Sequence, residues 1–170
     1  NAIDAAVAIA YALNVVEPQS AGIGGGGFML VYLAKSGRTF AIDSREKAPA
    51  GAMRDMFAGV PNPSLQGVAV GVPGMVRGTA LAVRKYGNLP LAEVIAPAIE
   101  LADEGFAATA RYAAVSCNAR SRNSPEARAY FCPNDNGTSG PVEGSLVTNK
   151  PLAATLRLIA KEGPNCFYVH

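Results

Sequence analysis

The chain has 170 residues, enough for one domain or part of one, and a chain of this length can bury about 70% of its extended surface. Its formal charge is only +2, with 15 Lys and Arg scattered among 13 Asp and Glu, so no electrostatic footprint for a nucleic-acid partner is present. Charged residues make up 16%, below the roughly 25% of a typical soluble domain, which fits a surface partly covered by something else; Ala and Gly supply much of the rest, so close helix packing is expected.

In chain order, Asn1 and Asp4 have capping-box spacing and lead into an almost wholly apolar run that stops at Glu17-Pro18. The stretch from Ala5 to Val16 is interrupted at Asn14 and too short to span a bilayer. It starts beside Asp4 without a basic leader, which sets it apart from a signal peptide. A helix that is apolar all round belongs inside a layered structure. The chain opens abruptly within this signal and stops at Phe167-Tyr168-Val169-His170 without a terminator, which reads as a piece of a longer polypeptide.

Six residues with five glycines, Gly22 to Gly27, then precede a strand-like run from Phe28 to Ala34. A Lys35-Ser36-Gly37-Arg38 turn and a second run, Thr39 to Ser44, complete a hairpin that ends on Arg45-Glu46 before Ala48-Pro49. A short helical turn is expected over Ala52 to Phe57, a loop at Pro61 and Pro63, and a short strand over Val68 to Val72. Met75 to Tyr86 has helical spacing despite Gly78, and Leu91 to Glu104 follows with a kink or fresh start at Pro97 and Gly105 as its C′ residue. Thr109 to Arg120 fits a helix, Ser124-Pro125 opens another over Glu126 to Phe131, and Pro133 to Ser145 reads as a loop. Asn149 to Glu162 forms an amphipathic helix ended by Gly163-Pro164. Helices around a few strands make an α+β pattern.

The chemistry is defined as much by absences as by presences. Gly22, Gly24 and Gly27 satisfy G-x-G-x-x-G, but a helix signal precedes them and a strand signal follows, the reverse of the dinucleotide order. The single histidine is His170, so no Ser-His or Cys-His pair forms within the body of the chain, and a two-histidine metal site is excluded. Cys117, Cys132 and Cys166 lack metal-ligand spacing; Cys117 and Cys132 either pair in an oxidising compartment or remain thiols. Arg45 can make two parallel hydrogen bonds to a carboxylate, with Asp43 or Glu46 holding its fork, although the spacing equally fits a solvated charge cluster. Arg111, Arg120, Arg122 and Arg128 read as polar helix faces.

Several stretches together resemble the γ-glutamyltranspeptidase family. They are Asn1 to Ala8, Val16-Glu17-Pro18, Gly22 to Met29, Arg45 to Pro49, Val70 to Gly74, Tyr86 to Pro90, Pro97-Ala98-Ile99, Glu104-Gly105-Phe106 and Glu162-Gly163-Pro164. The likeness runs in order through nearly the whole chain. It implies an N-terminal nucleophile hydrolase, an αββα sandwich of which residues 1–170 are the front part of the large subunit, a single but incomplete domain. It also implies a precursor that cleaves itself, and a small-subunit partner whose new N-terminal threonine attacks the γ-glutamyl amide of glutathione or a related compound. The acyl group then passes to water or an amino acid, with the free α-amine of the threonine as its own base. By the same resemblance Arg45 binds the α-carboxylate of the γ-glutamyl group and Glu46 supports it. No residue of this chain is catalytic, and neither cofactor nor metal is called for. Exported bacterial members imply a periplasmic or secreted location. A β-lactam (glutaryl-type) acylase, a poly-γ-glutamate-cleaving enzyme and a non-catalytic homologue share the scaffold.

Overall fold

The computed structural model describes residues 1–169, leaving His170 outside the described residues. Helix α1 (Ala2–Val16) begins where expected: the Asn1 side chain accepts from the backbone of Ile3 and Asp4, and Asp4 closes the capping box. The Asp4 carboxylate also accepts from the Asn88 backbone N–H at 3.0 Å, which holds its pKa below the usual carboxylate range and ties the start of α1 to a distant loop. Val7, Tyr11 and Val15 are buried on one face of α1, whereas Ile9 and Leu13 on the other remain exposed. The all-round apolar helix is therefore covered on one side only by the described residues.

Strands β1 (Phe28–Leu33) and β2 (Arg38–Asp43) form an antiparallel hairpin with Phe28 opposite Asp43 and Leu33 opposite Arg38. Alternation sends Met29, Val31, Phe40 and Ile42 inward, and Val31 and Ile42 join the main core. Phe28, Leu30 and Tyr32 point the other way and are 66–76% exposed, so the hairpin has two apolar faces and these residues cover one.

Helix α2 (Met75–Tyr86) has the expected bounds and packs against α1, where the Thr79 and Tyr11 hydroxyls lie 3.1 Å apart. Burial pushes the Tyr11 hydroxyl up to about 12, against the opposing pull of Thr79. Helix α3 (Leu91–Asp103) runs through Pro97 as one element, so no fresh start occurs there. Its burial against α1 and the last helix offsets the N–H that proline withholds. Gly105 takes φ +100° and its N–H bonds to the Leu101 carbonyl, the expected helix exit.

A two-residue pair unforeseen from the sequence, β3 (Phe106–Ala107) with β4 (Leu146–Val147), brackets a polar excursion. Inside it α4 (Ala110–Val115) stops five residues short of the expected Arg120. The Asn118 side chain accepts from the Arg120 and Ser121 backbones and replaces the next helical turn. Helix α5 (Pro125–Phe131) is capped by Ser124 with Pro125 at its first position. Cys117 and Cys132 are disulfide-bonded, which settles the alternative left open by the spacing. Cys166 is free and half-buried. The final helix, α6 (Lys150–Glu162), is capped by Asn149, ends at Gly163 and packs along α3.

Two short elements differ from expectation. Residues 52–57 form successive turns whose backbone bonds close over three residues, such as Met56 N–H to Met53 C=O, so no α-helical turn develops. The expected strand over Val68 to Val72 is instead a 3₁₀ turn at Gly67–Ala69, and only Val72 pairs, in an antiparallel bridge with Lys47. Among the described residues no strand lies beside residues 68–71 to complete a ladder, and β-branched valines do not form one alone. No described helix is long and apolar enough to cross a membrane.

Candidate functional site

Arg45 sits one residue beyond the last bonded rung of the hairpin. Ser44 extends the ladder by exchanging backbone bonds with Gly27, at 2.9 and 3.2 Å, and its hydroxyl donates to the Gly27 carbonyl at 3.0 Å. The Arg45 N–H donates to the Asp43 carboxylate at 3.0 Å, turning the chain. Lys47 then bonds in both directions with Val72, at 2.8 and 3.1 Å. The backbone on both sides of Arg45 is thus pinned.

Glycines make this possible. A β-carbon at Gly26 would lie 2.2 Å from the Ser44 carbonyl oxygen, and one at Gly74 would lie 2.1 Å from the same atom. A β-carbon at Gly78, inside α2, would lie 2.3 Å from the β-carbon of Ser44. The Ser44–Arg45 backbone therefore runs in a slot walled by the glycine run on one side and by the start of α2 on the other. The Gly25 carbonyl closes the slot by accepting from the Gly74 and Met75 N–H groups, at 3.1 and 3.0 Å. A close-approach role for the glycine run follows from the sequence; the parts of Gly74 and Gly78 do not. A usable signal existed, since glycine inside a helix costs about 1 kcal/mol and calls for a packing reason.

The two residues singled out from the sequence come together. An Arg45 guanidinium nitrogen lies 3.2 Å from the Glu46 carboxylate, so Glu46 steadies the fork while Asp43 serves the backbone instead. The Arg45 side chain remains 55% exposed, leaving its other donors available. Arg45 and Glu46 line an open cleft of about 520 Å³ whose walls include Gly22, Gly25, Gly26 and Met75. Helix α1 contributes Asn14 to it. Asn14 is 5% exposed, and its amide nitrogen has no hydrogen-bond partner among the described residues. A buried donor left so costs about 1–3 kcal/mol.

Pro18 and Ser20 also line the cleft, and the adjoining Glu17 carboxylate pairs with Arg111 of α4 at 3.4 Å. Among the described residues no three His, Cys, Asp or Glu side chains gather to hold a metal ion. The glycine run enters a strand and leaves a helix, so the order that rules out a dinucleotide cradle is also the order observed.

The gamma-glutamyltranspeptidase family model matches residues 1–170. The chain belongs to the γ-glutamyltranspeptidase family. It is 43% identical to a glutathione hydrolase proenzyme of Bacillus subtilis (strain 168), covering 99% of this chain and 30% of that protein. The crystal structure of Helicobacter pylori gamma-glutamyltranspeptidase superposes with a TM-score of 0.92 at 42% identity, covering all of this chain and 50% of that one. A cephalosporin acylase from Bacillus halodurans superposes with a TM-score of 0.86 at 34% identity, over 99% of this chain and 33% of that one. The chain thus spans less than a third of the first relative and half of the first solved structure. Its mixed α/β architecture is that of the N-terminal nucleophile hydrolases, as the resemblance implied.

Proposed function

We propose that residues 1–170 are the front part of the large-subunit domain of an enzyme that cleaves the γ-glutamyl amide of glutathione and related compounds. The enzyme passes the acyl group to water or to an amino acid. The nucleophile is the N-terminal threonine of a small subunit released from the same precursor, and the chain described here supplies binding. The proenzyme name of the B. subtilis relative supports a self-cleaving precursor.

The observation that carries the reading is the Arg45–Glu46 pair on a backbone held from both sides, within a chain matched to the family over its full length. A guanidinium fork fixed in this way selects a carboxylate by both charge and angle. One carboxylate oxygen of Glu46 keeps the fork oriented, and the exposed remainder of the guanidinium grips the α-carboxylate of the glutamyl group. The other end of that group, the γ-carbonyl, is then presented to the threonine. Because orientation is settled before chemistry, the attack proceeds as an intramolecular step.

The test is hydrolysis of γ-glutamyl-p-nitroanilide by the full-length protein and its Arg45→Ala and Arg45→Lys variants. Arg45→Ala is expected to lose about 100-fold or more in kcat/KM, and Arg45→Lys to recover part of that loss. Near-normal kinetics for Arg45→Ala would reject the assigned role.

A second reading draws on the cephalosporin acylase likeness. A glutaryl amide is a γ-glutamyl amide without its α-amine, so Arg45 would serve either acyl group. Comparing turnover of glutaryl and γ-glutamyl anilides separates the two. An exported location is supported by the Cys117–Cys132 disulfide, which persists in oxidising compartments.

A further inference from the structure

We infer that Tyr168 is a positioning residue for Arg45: by capping the start of α2, it fixes the helix wall against which the Ser44–Arg45 backbone is set. This rests on the reading of Arg45 as the carboxylate binder and deepens it, since Tyr168 acts through the backbone rather than on the ligand.

The first turn of a helix leaves backbone N–H groups without intrahelical partners, and a Ser, Thr, Asp or Asn side chain usually meets one of them. Helix α2 cannot use that device. Its N-cap is Gly74, where a β-carbon would lie 2.1 Å from the Ser44 carbonyl oxygen. The close approach that walls Arg45 thus also removes the capping side chain. Substitute partners arrive from two distant segments. The Gly25 carbonyl accepts from the Gly74 and Met75 N–H groups, and the Tyr168 hydroxyl, 91 residues along the chain, accepts from the Arg77 N–H at 3.1 Å.

The Tyr168 ring is held for this task by several contacts. The Arg77 guanidinium carbon lies 4.4 Å from the ring centroid, a cation–π contact, and a terminal nitrogen of the same guanidinium lies 3.5 Å from the Asn165 side-chain oxygen. Phe167 meets the ring edge to face, with centroids 5.2 Å apart, and both aromatic residues pack against the main core. The Tyr168 N–H donates to the Asn165 carbonyl at 3.0 Å, closing the turn after α6. Tyr168 lines the same small recess, about 320 Å³, as Ser44, Arg45, Gly74 and Gly78. The path from hydroxyl to guanidinium fork is therefore short. It runs from Tyr168 to the first turn of α2, from Gly74 and Gly78 to the Ser44 backbone, and from Ser44 to Arg45.

The experiment uses the full-length, self-processed protein with Tyr168→Phe, which removes only the hydroxyl, and Tyr168→Ala, which removes the ring as well. Two substrates separate positioning from general destabilisation: γ-glutamyl-p-nitroanilide, and γ-aminobutyryl-p-nitroanilide, which lacks the α-carboxylate. Tyr168→Phe is expected to lower kcat/KM for the first about fivefold, the scale of a lost helix cap, and to leave the second unchanged. Tyr168→Ala, which also forfeits the stacking, is expected to show the same selectivity at about twentyfold. In an Arg45→Ala background Tyr168→Phe should cost nothing further, because the group it positions is gone. Subunit ratios on a denaturing gel and the thermal midpoint verify that the kinetics refer to processed, folded protein. Equal losses on both substrates, unchanged kcat/KM for the first in both variants, or an additive loss in the Arg45→Ala background overturns the inference. If Arg45→Ala is severely impaired while both Tyr168 variants are normal, the carboxylate site stands and only Tyr168 is rejected. If Arg45→Ala is itself normal, the carboxylate site falls and the inference with it.

Discussion

Residues 25–78 and residues 108–147 achieve local order by opposite means. In the first region the backbone around Ser44 and Arg45 is clamped by contact, with Gly26, Gly74 and Gly78 yielding the space that a β-carbon would take. The clamp is backed by the large core that joins α1, α2, α3, α6 and the hairpin. In the second region the buried cluster is only Ala108, Tyr112 and Val147, and helices α4 and α5 have six and seven residues. Helices that short do not hold themselves in water, and a cluster that small adds little. A disulfide between Cys117 and Cys132 and the side-chain turns of Asn118 and Ser121 take the place of a core. Order is thus supplied by packing around Ser44 and Arg45, and by a covalent tie where a segment has little core of its own.

The comparison breaks first at Gly26. Gly26→Ala sets a β-carbon against the Ser44 carbonyl with no flexible neighbour to yield, so the Arg45 backbone must move. The expected result in the full-length protein is a loss of about 100-fold in kcat/KM for the γ-glutamyl anilide, since displacements near 1 Å carry that penalty. Wild-type kinetics in Gly26→Ala would show that the slot does not position the arginine.

Removing the disulfide probes the other region. With the cysteines separated by 15 positions, Cys117→Ser with Cys132→Ser is expected to cost about 3 kcal/mol of stability, read as a lower denaturant midpoint. The kcat/KM at temperatures where the protein stays folded should change far less than in Gly26→Ala. Comparable losses of activity in both would erase the distinction between aiming and docking.

Gly78→Ala sharpens the first half of the contrast. Alanine gains about 1 kcal/mol of helix propensity over glycine, yet the clash with Ser44 is expected to turn this into a net loss of about 1–2 kcal/mol. Adding Ser44→Gly removes the opposing β-carbon and should restore most of the stability. If Gly78→Ala is stabilising by itself, the close approach is not constraining.

The smallest effect concerns pH. Hydrogen bonds from the Asn88 backbone, foremost, lower the folded-state pKa of Asp4. Its stabilisation is therefore fully present above the unfolded carboxylate value, near 3.9, and fades as pH falls through the depressed folded value. Asp4→Asn is expected to flatten the acid limb of the stability curve below about pH 4 and leave its shape near neutrality unchanged. An unaltered acid limb would show that Asp4 is not linked to folding.

The parts of the fold that depend on neighbours in sequence were legible. The Asn1/Asp4 capping box, the Ser124-Pro125 start, the Gly105 exit and the Gly163 stop all rest on bonds within a few residues, and the structure places each where its pattern indicates. Elements whose outcome depends on a distant partner were not. Val68 to Val72 has strand composition but no neighbouring strand, α4 yields to Asn118, and β3 and β4 pair across 40 residues on two residues each. Within the site, Arg45 and Glu46 were named from the sequence. Asn14, Gly74 and Gly78 were not, because a glycine or an amide inside a helix shows only that something must approach it, never what.

The amino-acid sequence by itself determined the family, the bounds of the hairpin and of the four long helices, and the arginine to watch, since motifs and caps are written in consecutive residues. Only the tertiary structure decided that Glu46 and not Asp43 holds the guanidinium, that Cys117 meets Cys132, and that Ser44–Arg45 lies between two glycine walls. The first is a matter of side-chain geometry between neighbours, and the other two depend on contacts between residues 15 to 34 apart, which chain order does not encode and packing does.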